Sequence, residues 1–385
     1  MTFIERNSIN LANWRLSPYN RTSLTRVREI LPTANIAAGK ARVPLQRALH
    51  DFGRLSFARP AGGETTIANF LDESFTDAWL VLHRGTVVHE WYRTEEASVA
   101  PHILFSVSKS VTAILAGVLW ADGMLDPEAP VTRYIPELAQ SAYGDATLRH
   151  VLDMTVSLAF NEDYINPDDL YLRYRAATGW NPRQPDLETT YGFLLRLKKN
   201  THPHGERFNY RSPNSDLLGW IIERASGQRL ADLLSERIWK PMGAEADAYI
   251  TVDPAGAPRT AGGICTTAAD LARFGEMIRC GGIANGRQIV PNAWIDDIRF
   301  EGSTEQWARG DMTMFLAEGR YRSKWYNLVG TSAFMAIGIH GQWLYIDPDA
   351  DMVIAKFSSQ EQPVSEGTDH LHLAAFAALA KRLKQ

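Results

Sequence analysis

A stretch of small and apolar residues runs from Ser106 to Ala121, and Lys109 is its only charged side chain. Beyond Lys109 the pattern is apolar or small on every helical face, which predicts a buried helix. Asp122-Gly123 then follows, as is typical of a helix end. The pattern therefore carries a lysine into the core, one turn after Ser106 and on the same face.

Alternating and apolar runs predict strands near both ends of the chain. Residues 78–83 and 86–92 are expected to form a hairpin around Arg84-Gly85, and residues 342–346 and 352–357 a second strand pair joined by 347–351. Helices are expected over 216–223 (ending at Gly227), after a cap at Thr266 or Thr267, and over 370–383. Residues 1 to about 70 are predicted to be an irregular arm with a helical patch at 43–52. Residues 161–186 are predicted to be rich in loops, and 207–210 to be extended.

This order predicts an α+β fold in which both ends of the chain build one antiparallel sheet flanked by helices. We expect residues 1–105 and 245–385 to form that α/β domain. Residues 106–244 would then be an inserted, mainly helical domain.

Composition narrows the class of protein. The 385 residues are 45% hydrophobic and 22% charged, as in a soluble globular protein. A formal net charge of −4 without a basic cluster gives no reason to expect a nucleic-acid partner. No apolar run reaches the length of a membrane span, and the N-terminus lacks the pattern of a secretory signal. Two cysteines, Cys265 and Cys280, make no disulfide framework, so we expect a cytoplasmic protein.

The Ser106–Lys109 pair suggests nucleophilic catalysis. A buried ammonium without a nearby carboxylate in sequence is driven toward the neutral amine, and a neutral amine beside a serine hydroxyl is a general base beside a nucleophile. Ser106 would also lie at a helix N-terminus, where free N–H groups favour developing negative charge. The alternative is an ordinary exposed lysine near a helix start, because Ser-x-x-Lys also occurs by chance.

Two later segments follow this pair: residues 208–214 (FNYRSPN) and residues 338–342 (GIHGQ). In this order and at these separations the motifs resemble those of the penicillin-recognising serine hydrolases. The resemblance is strongest to the class C β-lactamase branch and the 6-aminohexanoate-dimer (nylon oligomer) hydrolases. It runs from about Trp79 to the C-terminus, and it implies a β-lactamase/DD-peptidase-like fold.

The resemblance also implies roles for individual residues. Ser106 would be the nucleophile, Lys109 its base, and Tyr210 the phenol that relays a proton to the leaving group. The backbone N–H groups of Ser106 and Ile339 would form the oxyanion hole. Ser212 and Asn214 would hydrogen-bond Lys109 and so hold these groups in position. The nearby lysine ammonium would stabilise a phenolate at Tyr210. The substrate-facing residues would be Tyr164, Arg175, Trp180, Trp325, Gly338 and His340.

Two departures from the family pattern bear on the substrate. The Lys-Thr-Gly motif that grips the carboxylate of a β-lactam reads Gly338-Ile339-His340 here, and Arg175 lies where it would repel a substrate amine. We therefore expect a hydrolase of a small amide or ester, in the manner of a 6-aminohexanoate-dimer hydrolase. A carboxylesterase with weak β-lactamase activity and a non-catalytic β-lactamase-like binding protein are the alternatives.

Cofactors and partners complete the sequence prediction. The histidine pairs His202/His204 and His370/His372 have no third ligand near in sequence, so we expect no metal and no other cofactor. The expected partner is a small-molecule substrate, with no nucleic acid and no membrane; a homodimer is left open.

Overall fold

Strands from both ends of the chain meet in one eight-stranded sheet. In spatial order its strands are Gly319–Arg322, Trp325–Leu328, Phe334–Gly338, Gln342–Asp347, Met352–Ser358, Thr76–His83, Thr86–Tyr92 and Gln46–Arg47. The computed structural model describes residues 8–182 and 188–385. Its strands are β1 (Thr33–Ile36), β2 (Gln46–Arg47), β3 (Ser56–Ala58), β4 (Glu64–Thr66), β5 (Thr76–His83), β6 (Thr86–Tyr92), β7 (His102–Ile103), β8 (Ala248–Thr251), β9 (Ile264–Thr266), β10 (Ile283–Ala284), β11 (Arg287–Gln288), β12 (Gly319–Arg322), β13 (Trp325–Leu328), β14 (Phe334–Gly338), β15 (Gln342–Asp347) and β16 (Met352–Ser358).

Helices cover both faces of this sheet. They are α1 (Asn20–Ser23), α2 (Ile67–Glu73), α3 (Val107–Ala121), α4 (Leu148–Leu152), α5 (Asp169–Ala177), α6 (Thr190–Arg196), α7 (Pro213–Ser226), α8 (Leu230–Leu234), α9 (Ala268–Arg279), α10 (Asn292–Phe300), α11 (Thr304–Ala308) and α12 (Glu366–Leu383). α3 and α9 pack on one face, and α2 and α12 on the other. Helices α3 to α8 all fall in the interval for which the sequence predicts a helical domain.

The central strands are antiparallel and almost wholly buried. β16 pairs with β5, so Ala355 lies opposite Leu80, and β14 pairs with β15, so Gly338 lies opposite Gln342. Both faces of these strands are covered by helices, which is why they read as near-continuous apolar runs. The edge strand β2 is the exception, since it pairs parallel with β6.

Several local predictions are confirmed. The hairpin 78–83/86–92 is β5–β6, the C-terminal strand pair is β15–β16, and the buried helix is α3. α7 ends at Gly227, whose φ of 69° is left-handed, and Thr267 caps α9 by accepting a hydrogen bond from the Asp270 N–H. The last helix begins at Glu366, four residues earlier than predicted.

Other predictions are wrong. The helical patch at 43–52 is instead the edge strand β2, where Ala48 N donates to Val87 O, because the sheet offers that segment backbone partners. The loop-rich stretch 161–186 contains α5, capped by Asp168, and its residues 183–186 lie outside the described ranges. Residues 207–210 form no strand. A small sheet of order β1-β8-β9-β7 was not predicted, and its strand β7 comes shortly before Ser106 in the chain.

Candidate active site

Ser106 and Lys109 lie side by side at the start of α3. Ser106 is the N-cap residue, and Lys109 Nζ is 2.7 Å from its Oγ and donates to the carbonyl of Ala261 at 2.6 Å. Lys109 is 1% exposed, so the alternative of an exposed lysine is wrong. Burial lowers the pKa of Lys109 to about 7, the nearby carboxylate of Glu162 opposing that shift. A large fraction of this amine is therefore neutral at neutral pH.

The backbone before Ser106 is strained and closely packed. Phe105 has a φ of 43°, a left-handed conformation that costs a non-glycine residue about 1 kcal/mol or more. On the other side, a Cβ at Gly338 would stand 2.4 Å from Leu104 O and 3.1 Å from Ser106 N, so only glycine lets β14 come this close. Within the described ranges, neither the Ser106 N–H nor the Ile339 N–H donates to a protein acceptor.

Tyr210 faces the same two side chains. The ring centroid of Tyr210 lies 5.0 Å from Lys109 Nζ. The Tyr210 hydroxyl interacts with Ser106, and the Tyr210 N–H donates to Asp311 Oδ1 at 3.1 Å. Burial, and next the charge of Glu162, raises the pKa of Tyr210. The expected stabilised phenolate is thus wrong, because burial of the phenol and the nearby charge of Glu162 both favour the neutral form. The resting residue is a neutral phenol.

Glu162 is the residue that sequence reasoning missed. It accepts hydrogen bonds from the Ser212 N–H, from Ser212 Oγ at 2.5 Å and from the Tyr164 hydroxyl at 2.5 Å. Its charge raises the pKa of both Lys109 and Tyr210. The signal was its place two residues before Tyr164, a predicted substrate-facing residue.

The predicted contacts of Ser212 and Asn214 with Lys109 are not formed. Ser212 is engaged by Glu162, and Asn214 Nδ2 donates instead to Met154 Sδ at 3.6 Å. Since Pro213 and Asn214 already belong to α7, the Asn214 side chain is directed into the core. Lys109 Nζ donates instead to the carbonyl of Ala261, which does what the two side chains were expected to do.

These groups open into a cavity of about 750 Å³. Its acidic lining residues are Glu162, Asp163, Asp311, Glu366 and Asp369; its other lining residues include Ser106, Tyr164, Tyr210, Tyr326, Gly338 and Ile339. Among the residues that the structure describes, Arg211 is the one basic residue that lines it, and its guanidinium is paired with Asp311 at 2.5 Å. The exposed side chains of Ile165, Met314 and Val364 make an apolar rim. The cavity therefore combines the Ser106 hydroxyl with a cluster of acidic side chains and an apolar mouth.

Tyr164 and Gly338 lie in the cavity as predicted, but four other predicted substrate-facing residues do not line it. Trp180 is buried against Trp14 and Phe105, and Trp325 is buried against Phe334. Side chains alternate along a strand, so the cavity receives Tyr326, the neighbour of Trp325.

The other two are Arg175 and His340. Arg175 lies in the last turn of α5, its guanidinium 5.7 Å from the Tyr171 ring centroid, rather than in a loop over the site. His340 has a φ of 61°, is 3% exposed and donates through Nδ1 to Gln360 O at 2.7 Å. Burial lowers the pKa of His340 to about 4, so it is neutral at neutral pH.

No helix in the described part of the chain is both long and apolar enough to span a membrane.

Comparisons with known proteins find similar hydrolases. The chain is 37% identical over 364 residues to the 6-aminohexanoate-dimer hydrolase of Paenarthrobacter ureafaciens, covering 94% of this chain and 90% of that protein. It is 30% identical over 157 residues to Esterase EstB of Burkholderia gladioli, covering 39% of each chain. A solved structure from Bacillus anthracis, provisionally described as a 6-aminohexanoate-dimer hydrolase, superposes with a TM-score of 0.91. It is 29% identical, and the match covers 100% of this chain and 99% of that one.

The Beta-lactamase family profile matches residues 64–379, the interval that holds Ser106, Lys109, Tyr210 and Gly338. The α+β fold predicted from the motifs is confirmed by these matches. The protein is a hydrolase that belongs to the β-lactamase family.

Proposed function

We propose that the protein cleaves a small linear amide or ester through an acyl-enzyme on Ser106. The observation that carries this proposal is the buried pair of Ser106 and Lys109, 2.7 Å apart at the base of a large cavity. A lysine whose pKa is about 7 accepts a proton readily at neutral pH, as a general base must.

In the proposed acylation, Ser106 Oγ attacks the substrate carbonyl carbon while its proton passes to Lys109. The N–H groups of Ser106 and Ile339, neither of which donates to an acceptor in the described part of the chain, would hold the oxyanion. Tyr210, a neutral phenol in contact with Ser106, donates its proton to the leaving nitrogen or oxygen as that bond breaks, and it regains a proton from Lys109. Water then attacks the acyl ester and the proton transfers run in reverse.

The cavity lining favours a substrate that carries an amine. In the described ranges five acidic side chains line the cavity and the single basic one is already paired, so a positive group is attracted and a carboxylate repelled. Arg175, which was expected to repel an amine, lies outside this lining. A relative named 6-aminohexanoate-dimer hydrolase, 37% identical, supports a linear amide of this kind.

Ser106→Ala tests the assignment. We expect turnover of p-nitrophenyl butyrate and of a short linear amide to fall by several orders of magnitude while the fold is kept. Ser110→Ala, the same change one turn along α3, removes a hydroxyl that donates to Lys324 O and serves as the matched control. Near-normal hydrolysis by folded Ser106→Ala would contradict the proposal, as would failure of a fluorophosphonate to label the wild-type serine.

A further inference from the structure

The residues before β1 contact both sides of the proposed oxyanion hole. We propose that Trp14 and Asn20 of this N-terminal arm (residues 8–31) act as a clamp, a pair of positioning residues that hold the Ser106 loop and the Ile339 loop together. The inference rests on the proposed function, since it concerns the two N–H groups assigned above to the oxyanion. The family profile begins at residue 64, so the arm lies outside the part of the chain that it matches.

On the nucleophile side the arm acts through Trp14. This side chain is fully buried, and its ring stacks on Phe105 at 6.3 Å between centroids, with 20° between planes. Its Nε1 donates to Trp180 O at 3.2 Å, and the Trp180 ring contacts Phe105 from a second direction. Nearby, Ile103 N donates to Leu24 O at 3.0 Å. Phe105, the residue directly before Ser106, is thus contacted by Trp14 of the arm and by Trp180, which Trp14 itself contacts.

On the other side the arm acts through Asn20. This buried amide donates to Gln360 O at 2.8 Å and to Ser359 O at 3.3 Å. The Gln360 carbonyl also accepts from Nδ1 of His340, the residue directly after Ile339. One carbonyl oxygen therefore connects the arm to the loop that presents the Ile339 N–H.

The Ser106 loop and the Ile339 loop also contact each other directly. The His340 and Phe105 rings are 5.5 Å apart, and both residues have left-handed backbones, with φ of 61° and 43°. Such conformations persist in non-glycine residues only where the surroundings hold them. Trp14 and Asn20 supply that restraint, because each contacts the residue or the carbonyl that fixes one of the two strained positions.

Three arm variants test the clamp, each assayed as the full chain with p-nitrophenyl butyrate. For Asn20→Ala and Trp14→Leu we expect kcat to fall about ten- to hundredfold while KM stays within about twofold, since a slight misplacement of oxyanion donors weakens only the transition state. Trp14→Phe keeps an aromatic ring on Phe105 and should restore most of kcat. Val27→Ala, a truncation at a fully buried position of the same arm, is the matched control and should lower Tm but not kcat.

The outcomes separate the clamp from a merely structural arm. If Asn20→Ala and Trp14→Leu lower Tm as Val27→Ala does but keep kcat within twofold of wild type, the clamp is wrong. Should Trp14→Leu fail to fold, Asn20→Ala decides by the same criterion. Activity that survives Ser106→Ala would refute the proposed function itself, whereas full loss in Ser106→Ala with unchanged arm variants refutes only the clamp.

Discussion

Lys109 shows at the scale of one residue how catalysis and stability oppose each other. In the unfolded chain its amine has a pKa near 10.5, and in the folded protein burial lowers that pKa to about 7. Below pH 7 the folded state must hold a buried ammonium, and the resulting destabilisation is fully present. It disappears as pH rises from 7 toward 10.5, because the folded protein then keeps the amine neutral while the unfolded chain is still charged.

Lys109→Met is therefore expected to be inactive and more stable than wild type. The pKa difference corresponds to a few kcal/mol, roughly 4 to 5, of which the lost hydrogen bond to Ala261 O and the new packing remove part. We expect a net gain of about 2 to 3 kcal/mol at pH 6 that fades by pH 10, measured by urea unfolding. A variant that is less stable than wild type at pH 6 would contradict the buried-ammonium account.

Tyr210→Phe should impair amide cleavage more than ester cleavage. An amine must be protonated as it leaves, whereas p-nitrophenolate leaves unaided, and the neutral phenol of Tyr210 is the group placed to donate. The comparison is kcat/KM for a linear amide against p-nitrophenyl butyrate, with Tyr321→Phe, a buried neighbour 6.5 Å from the Tyr210 ring, as control. Equal losses for both substrates would restrict Tyr210 to activating Ser106.

At the scale of elements, the approach of β14 to α3 depends on one glycine. A Cβ at Gly338 would meet the Leu104 carbonyl at 2.4 Å, so the strand must move away from the Ser106 loop. We expect Gly338→Ala to lose at least about a hundredfold in kcat for p-nitrophenyl butyrate. Gly367→Ala, on α12 near the same cavity with nothing within 4 Å of its Cβ, should leave kcat unchanged. Equal kcat values in the two variants would show that strand approach does not limit catalysis.

Elements whose pattern is local were predictable from the sequence. The hairpin β5–β6, the strands β15 and β16 and the helices α3, α7 and α9 each bury a continuous or periodic face over five residues or more. The small sheet β1-β8-β9-β7 was not predictable. Its strands have two to four residues, and the β1–β8 and β7–β9 pairings join segments more than a hundred residues apart, so no local pattern marks them.

The candidate site was predictable to a similar degree. Ser106, Lys109, Tyr210 and Gly338 come together because motif order reflects the fold. The directions of the Trp180 and Trp325 side chains, and the carboxylate of Glu162 between Ser212 and Tyr164, depend on packing among separate segments. The pKa of Tyr210 was predicted to shift in the wrong direction for the same reason, since burial of the phenol and the charge of Glu162 raise it.

For the whole molecule, the charge of the cavity should decide which substrates react. We expect kcat/KM to fall in the order p-nitrophenyl 6-aminohexanoate, p-nitrophenyl hexanoate, mono-p-nitrophenyl adipate, three esters of similar length and different charge. Salt should compress the series. Because burial raises the pKa of Asp369 to about 7, the preference for the cation should widen between pH 6 and pH 8. A faster anionic ester would contradict the electrostatic argument.

The same charge should make β-lactams poor substrates. Their ring carboxylate would enter a negative cavity, and His340, which stands at the family's Lys-Thr-Gly position, is neutral and directed at Gln360 O. We expect kcat/KM for nitrocefin to lie at least tenfold below that for p-nitrophenyl butyrate on one preparation. A nitrocefin value above the ester value would make the protein a β-lactamase in practice.

The pairing of β5 with β16 has a consequence for synthesis on the ribosome. β5 is buried along nearly its whole length and apolar over residues 78–82, and its partner on one side lies about 270 residues later in the chain. At a synthesis rate of about 5–20 residues per second, the edge of β5 that pairs with β16 stays unpaired for roughly 15 to 50 s. An open apolar strand edge invites aggregation. Slow or stalled translation of the last hundred codons should therefore lower the yield of folded protein, and a chaperone that shields the nascent chain should restore it.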